Sequence, residues 1–201
     1  MVNNMISYSL KERILKFLIE NKQKWTILEI ARKLGADYKN TFQAINALYP
    51  DLIYKEKKGN LNLVEIKFSP QFELFNVESK RTQDFLKKHK KISLVKEDIE
   101  SIGYPYFIVL LYGSYAKNNY TEKSDIDICI ISDNKKKNEE ILSKLNLLPL
   151  PLQIHEFSIK EFESMLEKRE NNLAKEIIKS NIVLFGTENY YTLISKWMKK
   201  E

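Results

Sequence analysis

A single cysteine, Cys129, stands in 201 residues. No intrachain disulfide can form, and a cytoplasmic location is the expectation. Apolar runs are short, and none approaches the roughly 18 residues that a membrane span requires. The opening MVNNMISYSL lacks a basic start followed by an apolar block, which argues against a secretory signal. Histidines number 2. His89 sits in the lysine run KKHKK with no second His or Cys nearby, so it reads as a solvated surface group rather than a metal ligand. Arginine is scarce as well, 4 residues against 29 lysines. The segment SPQFELFNVESKRTQDFLKKHKK has neither an internal repeat nor the Gly/Ser character of a flexible linker. It reads instead as a connecting helix.

What is present is an apolar fraction of 43%, enough for a real core, and a charge that is unevenly spread. Residues 1–91 carry 18 Lys/Arg against 10 Asp/Glu, whereas residues 92–201 carry 15 against 17. A basic half beside a mildly acidic half predicts two domains with different partners. In the basic half, Leu10, Ile14, Phe17 and Leu18 recur at helical spacing. Thr26 and Glu29 form a capping box for a second helix that stops at Gly35. Asp37 caps a third, on which Phe42, Ile45 and Leu48 are read as the inner side, and Pro50 ends it. LIYKEKKGNLNLVEIKF then predicts two short strands around a Lys-Lys-Gly-Asn turn. Three helices followed by a basic hairpin resemble a winged helix-turn-helix DNA-binding domain over residues 6–68. The resemblance implies that the third helix enters the major groove, with Tyr38, Lys39, Asn40, Gln43 and Asn46 facing outward. Asn40 and Gln43 suit base edges and Lys39 a phosphate, while Lys55, Lys57 and Lys58 of the hairpin would lie over the backbone. A protein-docking module would present the same faces; the local charge favours DNA.

The acidic half contains the stretch YGSYAKNNYTEKSDIDICII. YFIVLLYG is an apolar run of strand length, predicted to be covered on both faces. Gly113-Ser114 break it, and a strand feeding a helix start there exposes backbone N–H groups that can hold phosphate oxygens. In the next strand, alternation puts Asp125 and Asp127 on one face and Ile126, Ile128 and Ile130 on the other. Two adjacent carboxylates repel each other, and the usual use of such a pair is to hold Mg²⁺ together with nucleotide phosphates. Cys129 shares the aspartate face and reads as packing.

Apolar strand, Gly-Ser, ten intervening residues, Asp-x-Asp and apolar strand together resemble the nucleotidyltransferase fold of the DNA polymerase β superfamily, in its small stand-alone branch, over residues 93–190. The resemblance implies that Gly113 and Ser114 hold the triphosphate, that Asp125 and Asp127 bind Mg²⁺, and that Ser124 is the small residue preceding the pair. Lys117 and Lys123 are read either as phosphate contacts or as the merely solvated lysines that loops commonly carry. It also implies a third acid from the later strand LPLQIHEF, ahead of the Ser158/Glu161 capping box. Counting back from Ser158 places that acid at Gln153. Three readings stand: Glu156 serves as the third acid through a bulge, His155 acts as base, or the site binds nucleotide without turnover. Glu156 is the expected choice.

The expected fold is therefore α/β and α+β: a winged helix-turn-helix domain over 1–70, a connecting helix over 71–92, and a nucleotidyltransferase domain with a mixed sheet flanked by helices over 93–201. Ser93 is the expected cap of the helix SLVKEDIESIG. The expected activity is Mg-dependent transfer of a nucleoside monophosphate from an NTP, taken as ATP, to an acceptor hydroxyl. That acceptor could be a partner protein, such members of the family often acting on a toxin. The other class of function is a DNA-binding regulator whose transferase fold only senses nucleotide. No membrane partner is expected.

Overall fold

The computed structural model describes residues 6–198, so the first five residues of the segment read as lacking a signal, and the last three of the chain, lie outside the described residues. The chain divides into two compact units, Met1–Lys80 and Arg81–Glu201.

The first unit opens with α1 (Leu10–Glu20), β1 (Trp25–Thr26), α2 (Ile27–Leu34) and α3 (Tyr38–Leu48), followed by β2 (Ile53–Lys58) and β3 (Leu61–Ile66). The helix starts follow local chemistry. Ser9 caps α1 in a box with Glu12, Thr26 caps α2 with Glu29, and the Asp37 carboxylate accepts the Asn40 N–H at 2.9 Å. Gly35, in the left-handed region at φ +57°, ends α2. The antiparallel sheet has the order β1-β3-β2, with Trp25 opposite Val64 and Lys55 opposite Val64 on its other side. β1 was not anticipated: it is two residues long, and its second residue doubles as the cap of α2. The inner arc of α3 is Thr41, Ala44, Ile45 and Leu48. Phe42 is therefore not an inner residue; it is exposed and stacks on Tyr38, ring centroids 6.3 Å apart. Lys39, Asn40, Gln43, Lys57 and Lys58 are all exposed, whereas Asn46 accepts a hydrogen bond from Lys55 Nζ at 2.6 Å.

A long helix, α4 (Phe72–Lys88), carries the division between the units; α5 (Lys90–Ser101) follows it directly. Ser93 is not the cap of α5, which starts at Lys90 with His89 in the cap position; the Ser93 hydroxyl instead donates to the Lys90 carbonyl at 2.6 Å.

The second unit then runs β4 (Ile108–Tyr112), α6 (Gly113–Ala116), β5 (Ile126–Ile131), α7 (Lys135–Leu145), β6 (Leu152–Phe157), α8 (Ile159–Glu167), α9 (Leu173–Lys179), β7 (Ile182–Phe185) and α10 (Thr187–Met198). Its mixed sheet has the order β6-β5-β4-β7, parallel only between β5 and β6. β-branched isoleucine and valine dominate the two central strands, as a sheet buried on both faces demands. One face carries Val109, Leu111, Ile126, Ile128 and Ile130 against Ile99 of α5 and Ile141 of α7. Each such fully buried aliphatic side chain contributes on the order of 1.5–3 kcal/mol. The other face carries Leu110, Cys129 and Ile131 and, where β4 ends and β5 begins, Tyr112 and Asp127. No helix among the described residues is long and apolar enough to cross a membrane.

Candidate active site

The site lies where β4 stops and β5 starts. β4 pairs with β5 through Tyr112↔Asp127, so Gly113, the next residue of the chain, turns away directly against the Asp127 side chain. Gly113 has φ +68°, and a Cβ placed on it would lie 1.9 Å from Asp127 Oδ2. Any other residue would be strained by the backbone angle and would have to push the carboxylate aside. Two motif halves that are eleven positions apart in sequence are thus brought into contact. Ser114 is half-buried in the first turn of α6, which starts at Gly113 itself.

Asp125 is exposed immediately before β5, and Asp127 is half-buried within it. Burial pushes the Asp127 carboxyl above its ordinary range and the neighbouring Asp125 charge adds to this, while His155 and Lys117 pull the other way. Such a like-charged pair is the arrangement that a cation relieves. The donor atoms are all oxygen and suit a hard divalent ion. Among the described residues, no group of three or more His, Cys, Asp or Glu side chains comes together to hold a metal, so the aspartate pair is the donor set on offer.

β6 decides which later residues reach this face. Its parallel ladder with β5 runs without a shift from Ile126↔Leu152 to Ile131↔Phe157, so the bulge that Glu156 requires is absent. Glu156 pairs with Ile130 and is exposed, on the face of Ile126 and Ile128 and away from the aspartates. Gln153 lies beside Asp127, and His155 beside Cys129 on that same face. The His155 Nδ1 is 2.7 Å from the Tyr112 hydroxyl. Burial first, and then the Asp127 charge, push the Tyr112 phenol upward, so it stays protonated. Tyr112 was missed in the sequence because it reads as the last residue of an apolar strand. The antiparallel register, which alternation alone does not supply, turns it to the aspartate face.

The remaining expected residues sit as follows. Ser124 does not point a free hydroxyl at the site: its Oγ accepts the Thr121 N–H at 2.8 Å and lies 3.2 Å from Thr121 Oγ1, holding the turn that delivers Asp125. Lys123 is exposed in that turn, and Lys117 ends α6 near Asp127. Cys129 is fully buried with its thiol pushed up by burial, so it packs and does not react. His89 is not a solvated group: its ring lies 4.3 Å from that of Phe85, 5.2 Å from Tyr120 and 5.7 Å from Tyr115.

A family model described as Polymerase beta, Nucleotidyltransferase matches residues 97–190, which span β4 through β7. Two proteins of Methanocaldococcus jannaschii, both named "Putative protein adenylyltransferase", are similar to the chain. One is 38% identical over 100 residues, covering 47% of this chain and 72% of that protein. The other is 48% identical over 48 residues, covering 24% of this chain and 42% of that protein. With the Gly-Ser turn seated against the Asp-x-Asp strand and a relative matched over most of its own length, the chain belongs to the polymerase β nucleotidyltransferase family.

Proposed function

We propose that the second unit is an adenylyltransferase that moves AMP from ATP to a hydroxyl of a partner protein. The observation that carries this reading is the contact of Gly113 with the Asp127 carboxylate, which joins a phosphate-holding turn to a cation-holding pair. The protein acceptor is supported by the names of the relatives. In the transfer, the acceptor oxygen bonds to the α-phosphorus as the bond to the β-phosphate oxygen breaks; pyrophosphate leaves, and the acceptor proton passes to a base. Gly113 and Ser114 hold the phosphates with their backbone N–H groups. Asp125 and Asp127 would hold Mg²⁺, which when bound supplies positive charge to the phosphate oxygens. Lys117 adds charge on the same side, and exposed Lys123 is within the turn beside Asp125.

His155 is the best-placed proton acceptor, since it shares the aspartate face that Glu156 does not. In the tautomer whose Nδ1–H donates to the Tyr112 oxygen, Nε2 keeps the lone pair that a base needs. His155→Ala is expected to lower transfer by about a hundredfold or more while nucleotide binding persists. Glu156→Gln is expected to leave the rate unchanged. Loss of activity in Glu156→Gln with none in His155→Ala would reverse the assignment. A nucleotide-sensing role is favoured by Gln153, an amide beside Asp127 where an acid would complete the site. Under that reading the wild type is inactive and Gln153→Asp creates transfer.

For the first unit we infer a winged-helix module that binds duplex DNA through α3 and the β2–β3 hairpin. Exposed Lys39, Asn40 and Gln43 on one element and Lys57 and Lys58 on the other support it. Phosphate contacts release counterions, so affinity is expected to fall steeply with salt. Removing Lys57 and Lys58 together should flatten the log–log slope by about two. Exposed Leu28, Tyr38, Phe42 and Leu61 favour a second reading, docking of a protein surface. An affinity for duplex that does not depend on salt, or no affinity at low salt, would select it.

A further inference from the structure

The second unit contains a cleft that borders the transfer site at Ser124, the residue before Asp125. It has a volume of about 480 Å³ and is lined by Lys88, Lys90 and Lys91, by His89, and by Tyr115 and Tyr120. It opens beside Ile126, whose side chain faces away from Asp125 and Asp127. Neither aspartate lines it. Lys87 adds a further cation, and Glu122 is the one acid among the described lining residues.

Two features give the cleft its chemistry. The first is a flat aromatic platform. Tyr115 and Tyr120 stack with centroids 4.3 Å apart and planes 7° apart, and His89 meets both rings edge-on. Tyr120 keeps 40% of its surface exposed, so the stacked pair is open in part to a planar group. Burial and the Lys88 charge hold His89 below its usual range, so it serves as a neutral wall. The second is concentrated positive charge. Lys90 and Lys91 form the first turn of α5, whose cap residue His89 makes no side-chain bond to the turn. Lysines over an open first turn suit an anion.

We propose that this cleft is a second binding site for a nucleoside phosphate, its base stacked on Tyr120 and its phosphate held by Lys88, Lys90 and Lys91. A cleft of this size is ample for one nucleotide, and aromatic stacking accepts any base. Binding here needs no metal, because no carboxylate pair lines the cleft. It does not call on the Asp125 and Asp127 carboxylates, which do not line the cleft.

The test is equilibrium dialysis of the full chain with radiolabelled AMP in EDTA. One AMP is expected to bind per chain, equally well in Asp125→Asn/Asp127→Asn. Tyr120→Ala is expected to weaken it by about tenfold or more, with Tyr120→Phe, which retains the ring, binding like wild type. The pair Lys90→Ala/Lys91→Ala is expected to weaken it and to flatten its salt dependence. Thermal melts of each variant report on folding, and these positions are exposed enough to leave it intact. The proposal is overturned if no AMP binds in EDTA, if the aspartate variant abolishes binding, or if Tyr120→Ala binds like wild type. It is equally overturned if inorganic phosphate displaces AMP at equal concentration, which would mean a site for the anion alone. Loss of transfer in the aspartate variant with AMP binding intact would leave this site standing apart from the proposed activity.

Discussion

Replacing Asp125 and Asp127 together by asparagine is expected to abolish nucleotidyl transfer while leaving a fold at least as stable as the wild type. Electrophilic charge against the phosphate oxygens is worth several kcal/mol in the transition state, so a loss of at least about a hundredfold in rate is expected. Asparagine keeps the shape of the side chain but not the charge that holds a divalent cation. The stability change runs in the opposite direction. Asp127 is pushed above its unperturbed value of 3.8 by burial and by Asp125. A carboxyl raised in the folded state favours folding only when protonated: that contribution is full below the unfolded value and lost as pH rises through the folded one. At neutral pH the ionised pair therefore costs stability, and asparagine relieves it. The variant should melt higher than wild type near neutral pH, and the gain should shrink to nothing below about pH 4. A variant that melts lower at neutral pH, or that transfers at the wild-type rate, contradicts this account of the pair.

Gly113→Ala is expected to be the most damaging single-atom change in the second unit's site. The backbone at φ +68° strains any residue with a Cβ, at a cost of about 1–3 kcal/mol. The added carbon would also stand 1.9 Å from Asp127 Oδ2 and must drive the carboxylate aside. A displacement on the order of 1 Å in a positioned group costs about a hundredfold in rate. Gly103→Ala separates the two effects. Gly103 has φ +63° but nothing within 4 Å of its Cβ position, so it carries the backbone strain alone. Urea denaturation should show both variants destabilised, with transfer lost only in Gly113→Ala. Equal loss of transfer in the two would trace the effect to stability rather than to the carboxylate.

The Gly-Ser and Asp-x-Asp elements were legible because each depends on a local rule. An apolar run long enough for a covered strand ends in residues that cannot continue it, and period-two alternation puts Asp125 and Asp127 together. The helix caps Thr26, Asp37 and Ser158 were legible for the same reason: a side chain three residues from its amide partner. Hydrophobicity and helical period disagree on α3. Thr41, Ala44, Ile45 and Leu48 form a strict inward arc, and Phe42, one step off it, is exposed despite its ring. Lysines hid His89, whose setting depends on Tyr115 of α6 and Tyr120 of the following loop, both distant in sequence. Pairing across the sheet was out of reach. The Tyr112–His155 contact joins residues 43 apart and needs the registers of β4, β5 and β6 at once. The same registers separate Glu156 from the aspartates, a question that the strand sequence left open between a bulge and a regular ladder.

On the function proposed above, the Gly113 turn and the aspartate pair transfer a nucleoside monophosphate. The most direct measurement incubates the full chain, Mg²⁺ and its own cell lysate with ATP labelled either in the α-phosphate or in the γ-phosphate. A protein band labelled from the α-phosphate only is expected, absent with the Asp125→Asn/Asp127→Asn chain. No α-label, a label that comes from the γ-phosphate, or a label that survives in the aspartate variant would contradict it.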